Sequence, residues 1–184
     1  WSSDVCSSDL IAPLGAGPVW LQVRGVKVVR GERWVKVLIP VRPNGTTGWV
    51  KASDMVFRSI DLRVDIDTSA LRLSLFRKGK RVRTFPVALG EPKTPTPYGE
   101  FAVAEVIPTG DPKAFLGPFV MPLTAFSNAL NEFAGGNGRV AIHGTSLPDL
   151  IGQRVSHGCI RMKNEHIRWL VRTVRGGTPV TIHP

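Results

Sequence analysis

Cysteine is scarce in this chain of 184 residues: there are two, Cys6 and Cys159, too few for a disulfide framework. Long hydrophobic runs are missing as well. The longest uncharged stretch, residues 114–131, is interrupted by Pro118, Pro122, Ser127 and two asparagines, which excludes a spanning helix of roughly 20 apolar residues. Acidic side chains are few. The 14 Asp and Glu stand against 24 Lys and Arg, and a formal charge of +10 favours polyanionic surroundings without naming one. The basic residues are scattered (Arg24, Lys27, Arg30, Arg33; Arg77, Lys78, Lys80, Arg81, Arg83; Arg168, Arg172, Arg175), and no nucleic-acid motif accompanies them, so they read as a solvated basic face. With 19 glycines and 15 prolines the chain stays below the roughly 25–30% that marks disorder, so many turns and short strands are expected. The length suits one good core, or a core plus a small satellite unit.

The opening WSSDVCSSDL, residues 1–10, has no hydrophobic periodicity and nothing that joins it to the β-rich residues after it. Its centre, DVCSSDL, resembles the translation of a common sequencing-library adapter, so these ten residues are expected to be an assembly artefact or disordered. Without Cys6, Cys159 is the sole cysteine and no intramolecular disulfide is possible. An export signal is then expected upstream of this sequence rather than within it.

Residues 11–57 read as short strands: WLQVRGVKVV, RWVKVLIPV, a turn at Arg42 to Gly45, and GWV. Asn-Gly between β-rich runs is a hairpin signal. The stretch TGWVKASD resembles the closing strands of a bacterial SH3-like module, which implies a partial SH3-like segment; the other reading is a β extension packed on the main domain. The main domain is expected over residues 58–184. LRVDID (62–67), LRLSLF (71–76) and VRTFPVAL (82–89) read as a meander. They lead into the loop GEPKTPTPYGEF, stiffened by Pro92, Pro95 and Pro97, and a strand over 100–107. Thr124 is placed to cap a helix over 125–133, stopped by Gly135 and Gly136. Ile167, Leu170, Val171 and Val174 fall on one face of a second helix beginning at Asn164, which Gly176 would end. PVTIH (179–183) reads as the last strand. The expected class is mainly β, with two short helices.

SHGCIRM, residues 156–162, sets a thiol two residues after an imidazole. A lone cysteine is most often a small buried hydrophobe, but Ser156, His157, Gly158 and Arg161 offer no apolar nest, and a second His-Gly pair stands at His143-Gly144. An imidazole that accepts the thiol proton makes the sulfur a nucleophile. His157 lies beside Cys159 along the chain, whereas His143 ends the stretch RVAIH and is placed to approach across a neighbouring strand, which makes it the better base. Gly158 permits a substrate carbonyl to approach backbone N–H groups, as an oxyanion site needs. Arg161 suits a substrate carboxylate.

The stretch IHGTSLPDLIGQRVSHGCIRM, residues 142–162, resembles the signature of the L,D-transpeptidases, the YkuD family. The likeness extends through TPTPYGEF to about residues 60–184. Fourteen positions separate the two histidines, toward the short end of the family's range. The resemblance implies an L,D-transpeptidase-type β-sandwich. It implies that Cys159 is the acylated nucleophile and His143 its base, oriented through the carbonyl of Gly144. The N–H groups of Gly158 and Cys159 would form the oxyanion hole, with Ser156 and His157 shaping the site and Arg161 contacting substrate.

The reaction so implied is attack on the bond before the terminal D-alanine of a peptidoglycan stem tetrapeptide. The thioester is then resolved by an amine of a second stem, and the thiol is open to carbapenem-type β-lactams. The implied location is the cell envelope, outside the cytoplasm. No cofactor is implied, the chain is read as a monomer, and the basic face would favour anionic wall polymers.

Three other readings compete. Zinc held by His143, His157 and Cys159 fits the residue types but describes any Cys–His enzyme equally. A wall hydrolase passes through the same thioester and differs only in admitting water; papain-like scaffolds place Cys before His, the reverse of the order here. A silent wall-binding module would leave the catalytic set unexplained. His166 and His183 read as a helix-surface and a tail residue. Tyr98, in the proline loop, either borders the substrate cleft or packs on the domain.

Overall fold

Five strands begin the chain: β1 (Asp4–Ile11), β2 (Pro18–Val29), β3 (Glu32–Leu38), β4 (Thr47–Lys51) and β5 (Val56–Ser59), with a 3₁₀ turn at Ala52–Asp54. The computed structural model describes residues 4–11, 18–132 and 136–184. These five form one sheet in the order β4-β3-β2-β1-β5. Of residues 1–10, expected to be an artefact or disordered, those from Asp4 onward belong to β1, which pairs antiparallel with both β2 and β5. Such pairing uses main-chain groups that any sequence supplies.

The rest of the chain contributes β6 (Leu62–Asp67), β7 (Arg72–Arg77), β8 (Lys80–Pro86), β9 (Leu89–Gly90), β10 (Gly99–Ala102), β11 (Ile107–Pro108), β12 (Phe119–Phe126), β13 (Arg139–His143), β14 (Arg154–Ser156), β15 (Ile160–Arg161), helix α1 (Asn164–Val171) and β16 (Pro179–His183). They form a five-stranded sheet, β10-β16-β6-β7-β8, a four-stranded sheet, β11-β12-β13-β15, and the pair β14-β9. Alternation builds the first of these. In β6, Leu62, Val64 and Ile66 are buried while Arg63, Asp65 and Asp67 are partly exposed. These side chains meet Met121, Leu123, Ile142 and Ile160 of the second sheet, and Ile167 and Leu170 of α1, in one core. The mainly β architecture expected from the sequence is present, and β16 and the start of α1 fall where the pattern put them.

One expected element is absent. Ala125 and Phe126 end a strand rather than open a helix, and 127–132 are bends and irregular chain; residues 133–135 lie outside the described residues. Thr124 does not cap: its hydroxyl accepts the Ala102 N–H at 2.9 Å. Met121 to Phe126 are all buried, and such a continuous apolar run carries no period to separate strand from helix. The main chain of Phe126 is moreover claimed on both sides by Asn44. The Asn44 carboxamide accepts the Phe126 N–H at 2.9 Å and donates to the Phe126 carbonyl at 2.8 Å, as a neighbouring strand would. Arg42 donates to the carbonyls of Leu130 and Asn137, each at 2.8 Å, and stacks on the Phe126 ring.

This clasp matters because the small core of the first sheet, Leu21, Val35 and Val37, is little for residues 18–59 to fold around. Arg58 adds a hydrogen bond to the Gly176 carbonyl and stacks on Trp20, which packs against the main core. Replacing Asn44 by alanine leaves two main-chain groups of Phe126 unpaired, at a cost of about 1–3 kcal/mol. At roughly 2–4 °C per kcal/mol for a chain of this size, the melting midpoint should fall by about 2–12 °C, measured by calorimetry. Asn44→Asp, which keeps the acceptor, should fall between.

Candidate active site

β13 and β15 run parallel, with Ile142 opposite Ile160 and His143 opposite Arg161. The two isoleucines are fully buried in the core, so the period of two sends His143 and Arg161 to the other face. Cys159 stands one residue before β15, next to Ala141, whose main chain hydrogen-bonds the thiol. The imidazole therefore comes from β13 and the thiol from the residue that leads into β15, the strand beside it, an approach across neighbouring strands as the sequence led one to expect.

The turn that presents Cys159 is stapled by Ser156. Its hydroxyl donates to the Cys159 carbonyl at 2.6 Å and accepts the Gly158 N–H at 3.1 Å. The Ser156 carbonyl in turn accepts from the Glu91 N–H at 2.9 Å and the Thr94 hydroxyl at 3.2 Å, which ties the proline loop to the site. Gly158 has φ +114°, a backbone conformation that side-chain-bearing residues rarely adopt. His157 is exposed.

His143 is 1% exposed, and its Nδ1 lies 2.6 Å from the Gly144 carbonyl oxygen. A carbonyl only accepts, so Nδ1 carries the proton and Nε2 is the basic nitrogen. Burial depresses this imidazole to about 4; the bond to Gly144 works against the shift and the Arg161 charge adds to it. Burial pushes the half-buried Cys159 thiol up, opposed by the Ala141 main chain and by Arg161. At neutral pH the resting pair is thus thiol and neutral imidazole, not an ion pair. The proton can move when a substrate carbonyl begins to take the sulfur's electrons.

Gly144 is fixed by space. A Cβ there would meet Asn164 Oδ1 at 2.4 Å, Pro118 Cδ at 2.8 Å and Gly117 Cα at 3.0 Å. Gly144→Ala should therefore displace the carbonyl that orients His143, lowering stability by about 1–3 kcal/mol by overpacking and turnover by roughly 10²-fold by misplacement. Parallel denaturation and kinetic measurements separate the two effects.

Arg161 is 7% exposed and does not stand open to solvent as a carboxylate receptor would; its Nε has no hydrogen-bond partner among the described residues, and its guanidinium lies 4.8 Å from the ring of Phe115. The same ring sits 6.0 Å from that of His143. Phe115, itself half-exposed, roofs both residues, and no motif in the sequence marks it. Its one signal is an aromatic in a loop punctuated by Pro112, Gly117 and Pro118. Tyr98 is exposed, its hydroxyl 3.4 Å from that of Thr68. His166 is half-buried beside Phe85 rather than exposed, and His183 lies 3.2 Å from Asp65. Among the described residues no three His, Cys, Asp or Glu side chains converge as a metal-holding group. A hollow of about 840 Å³ lies in the first sheet beside Val26 and Phe57, away from the thiol.

A mainly β fold that sets a cysteine turn beside a buried, carbonyl-oriented histidine belongs to the class of cysteine acyltransferases. The family profile of the YkuD L,D-transpeptidase catalytic domain matches residues 61–182. Over 156 residues the chain is 31% identical to YkuD of Bacillus licheniformis, named as an L,D-transpeptidase, spanning 81% of this chain and 86% of that one. Its fold is similar to that of an L,D-transpeptidase from Mycobacterium tuberculosis, with a TM-score of 0.55 at 17% identity over 88% of this chain and 98% of the other. It is also similar to an L,D-transpeptidase solved in complex with imipenem, with a TM-score of 0.52 at 20% identity over 98% and 82%. The chain belongs to the L,D-transpeptidase family of cysteine-dependent acyltransferases.

Proposed function

We propose that this protein cross-links peptidoglycan through a thioester on Cys159. The Cys159 thiol gives its proton to His143 Nε2 while sulfur adds to the carbonyl of the third residue of a stem tetrapeptide. The C–N bond to D-alanine then breaks, and the proton leaves with the D-alanine amine. An amine of a second stem attacks the thioester, the C–S bond breaks, and the thiol recovers its proton. Splitting one amide exchange into two acyl transfers lowers each barrier.

The observation that carries this reading is the Nδ1 to Gly144 hydrogen bond, which leaves Nε2 of a buried neutral imidazole as base on the strand beside the thiol. The oxyanion would be met by the Cys159 and Gly158 N–H groups. Because the Gly158 N–H is held by Ser156, it must be shared or released as charge develops. Ser156 holds the turn, His157 borders it, and Arg161 supplies positive charge to the forming thiolate from beneath Phe115. Arg161 reaches a substrate carboxylate once that roof moves, and Tyr98 borders the far end of the proline loop.

Residues 58–184 form the catalytic unit in this reading, and residues 11–57 an SH3-like segment docked on it, with residues 1–10 foreign to the gene. The enzyme works outside the cytoplasm as a monomer, without cofactor, where stem peptides are found. Its basic face favours anionic wall polymers.

The test is incubation with a disaccharide-tetrapeptide and mass analysis of products. Loss of D-alanine with appearance of a cross-linked dimer supports transpeptidation. Loss of D-alanine with only tripeptide, in the presence of acceptor stems, assigns a carboxypeptidase instead, and no loss from folded protein overturns the reading.

A further inference from the structure

Asn164 opens helix α1, yet its side chain is not spent on the helix. The preceding residue, Lys163, occupies the N-cap and makes no side-chain cap bond. The Asn164 carboxamide instead faces the His143-Gly144 turn. Oδ1 accepts the Thr145 N–H at 2.9 Å, and Nδ2 donates to the Pro112 carbonyl at 3.1 Å. One partner only donates and the other only accepts, so the amide orientation is fixed by chemistry.

The two bonds join two segments with separate duties. Thr145 comes directly after Gly144, whose carbonyl orients His143. Pro112 belongs to the loop that carries Phe115, whose ring roofs both His143 and Arg161. Oδ1 also fills the space that a Cβ at Gly144 or Gly117 would need, at 2.4 and 2.3 Å, so both glycines are closed down onto this one side chain. The loop and the turn touch each other through Gly117 and Gly144, and Asn164 locks that contact from outside.

We propose that Asn164 is a positioning residue: its carboxamide holds the Gly144 peptide and the Phe115 loop together, and so keeps His143 oriented and dry for proton transfer. This rests on the assignment of His143 as base. His143 is 1% exposed with the Phe115 ring 6.0 Å from its own, and burial is the largest cause of its low proton affinity. Arg161, stacked on the same ring with Cys159 beside it, is the charge that acts on His143, and replacing Asn164 alters neither.

The experiment is a ¹³C-detected NMR titration of the His143 imidazole in the full chain, together with kcat and KM for D-alanine release, in wild type and Asn164→Ala. The wild-type midpoint should lie at about 4. In the variant it should move toward the ordinary value of 6.5 as water enters, and kcat should fall by roughly 10²-fold with KM little changed. A residue that only steadies the fold would lower the melting midpoint without moving the titration. Asn164→Asp keeps an acceptor for Thr145 and loses the donor to Pro112; its kcat should lie between the two, and it decides the matter where alanine prevents folding. A folded Asn164→Ala with the midpoint still near 4 and kcat within about twofold of wild type overturns the inference, as does full activity of Asn164→Asp. The titration reads the imidazole and not turnover. A shifted midpoint in a protein without transpeptidase activity would therefore support the role of Asn164 while overturning the reaction assigned above.

Discussion

On the proposed reaction, Cys159→Ala should abolish D-alanine release and cross-linking, with kcat reduced by roughly 10⁴–10⁶-fold, the scale on which loss of a covalent nucleophile is felt. The thiol is half-buried, and its turn is held by Ser156 through the Cys159 carbonyl, a main-chain group that alanine retains. The melting midpoint should therefore stay within a few degrees of wild type, on the scale of about 1 kcal/mol for a small side-chain truncation. Stopped-flow or steady-state release of D-alanine, measured beside the melting curve, checks both halves. A folded alanine variant that still turns over would remove the sulfur from the mechanism. Cys159→Ser should recover little: a hydroxyl is far harder to deprotonate than a thiol, and the proposed base is an imidazole already depressed to about 4.

The second large effect falls on His143. Replacement by glutamine should lower acylation by roughly 10²–10⁴-fold, the usual contribution of a positioned general base. It should also change how stability depends on pH. The folded imidazole takes up its proton at about 4 and the unfolded one near 6.5. Between these values the unfolded chain binds more protons, so this group's contribution to stability is fully present above pH 6.5 and is lost as the pH falls toward 4. A shift of this size corresponds to roughly 3 kcal/mol. Urea unfolding at about pH 7 and about pH 4 should show that acid-linked loss in wild type and a smaller one in His143→Gln. An equal loss in both would mean that His143 is not held neutral by burial.

The parts of the site that were legible in the sequence are those whose chemistry is carried by neighbours along the chain. Ser156, His157, Gly158 and Cys159 are consecutive, and the reading of His143 as a partner from an adjacent strand needed only RVAIH to be a strand, which it is. The strand PVTIH and the start of α1 were legible because alternation and the i, i+3, i+4 pattern each leave one periodicity. The helix expected after Thr124 failed for the complementary reason. A stretch buried continuously from Met121 to Phe126 has no exposed face to give a period, and the side chain that settles its end, Asn44, comes from the loop beside another sheet. Phe115 and Asn164 escaped in the same way. Their partners, His143, Arg161, Thr145 and Pro112, are brought to them by the path of loops, and no local pattern encodes that path. The fixed charge and paired donors of Arg161 suit a substrate carboxylate, but its covering by Phe115, far upstream, has no local signal in the sequence.

The central claim is that Cys159 carries the acyl group, and intact-protein mass spectrometry with peptide mapping tests it most directly. The full chain would be mixed with stem tetrapeptide, or with a carbapenem as a slow acyl donor, quenched in acid and digested. The expected result is one adduct, of the mass of the donor less D-alanine or of the intact β-lactam, on the peptide containing Ser156 to Met162, and none on the Cys159→Ala protein. An adduct elsewhere, or D-alanine release with no thiol-dependent adduct, would contradict it.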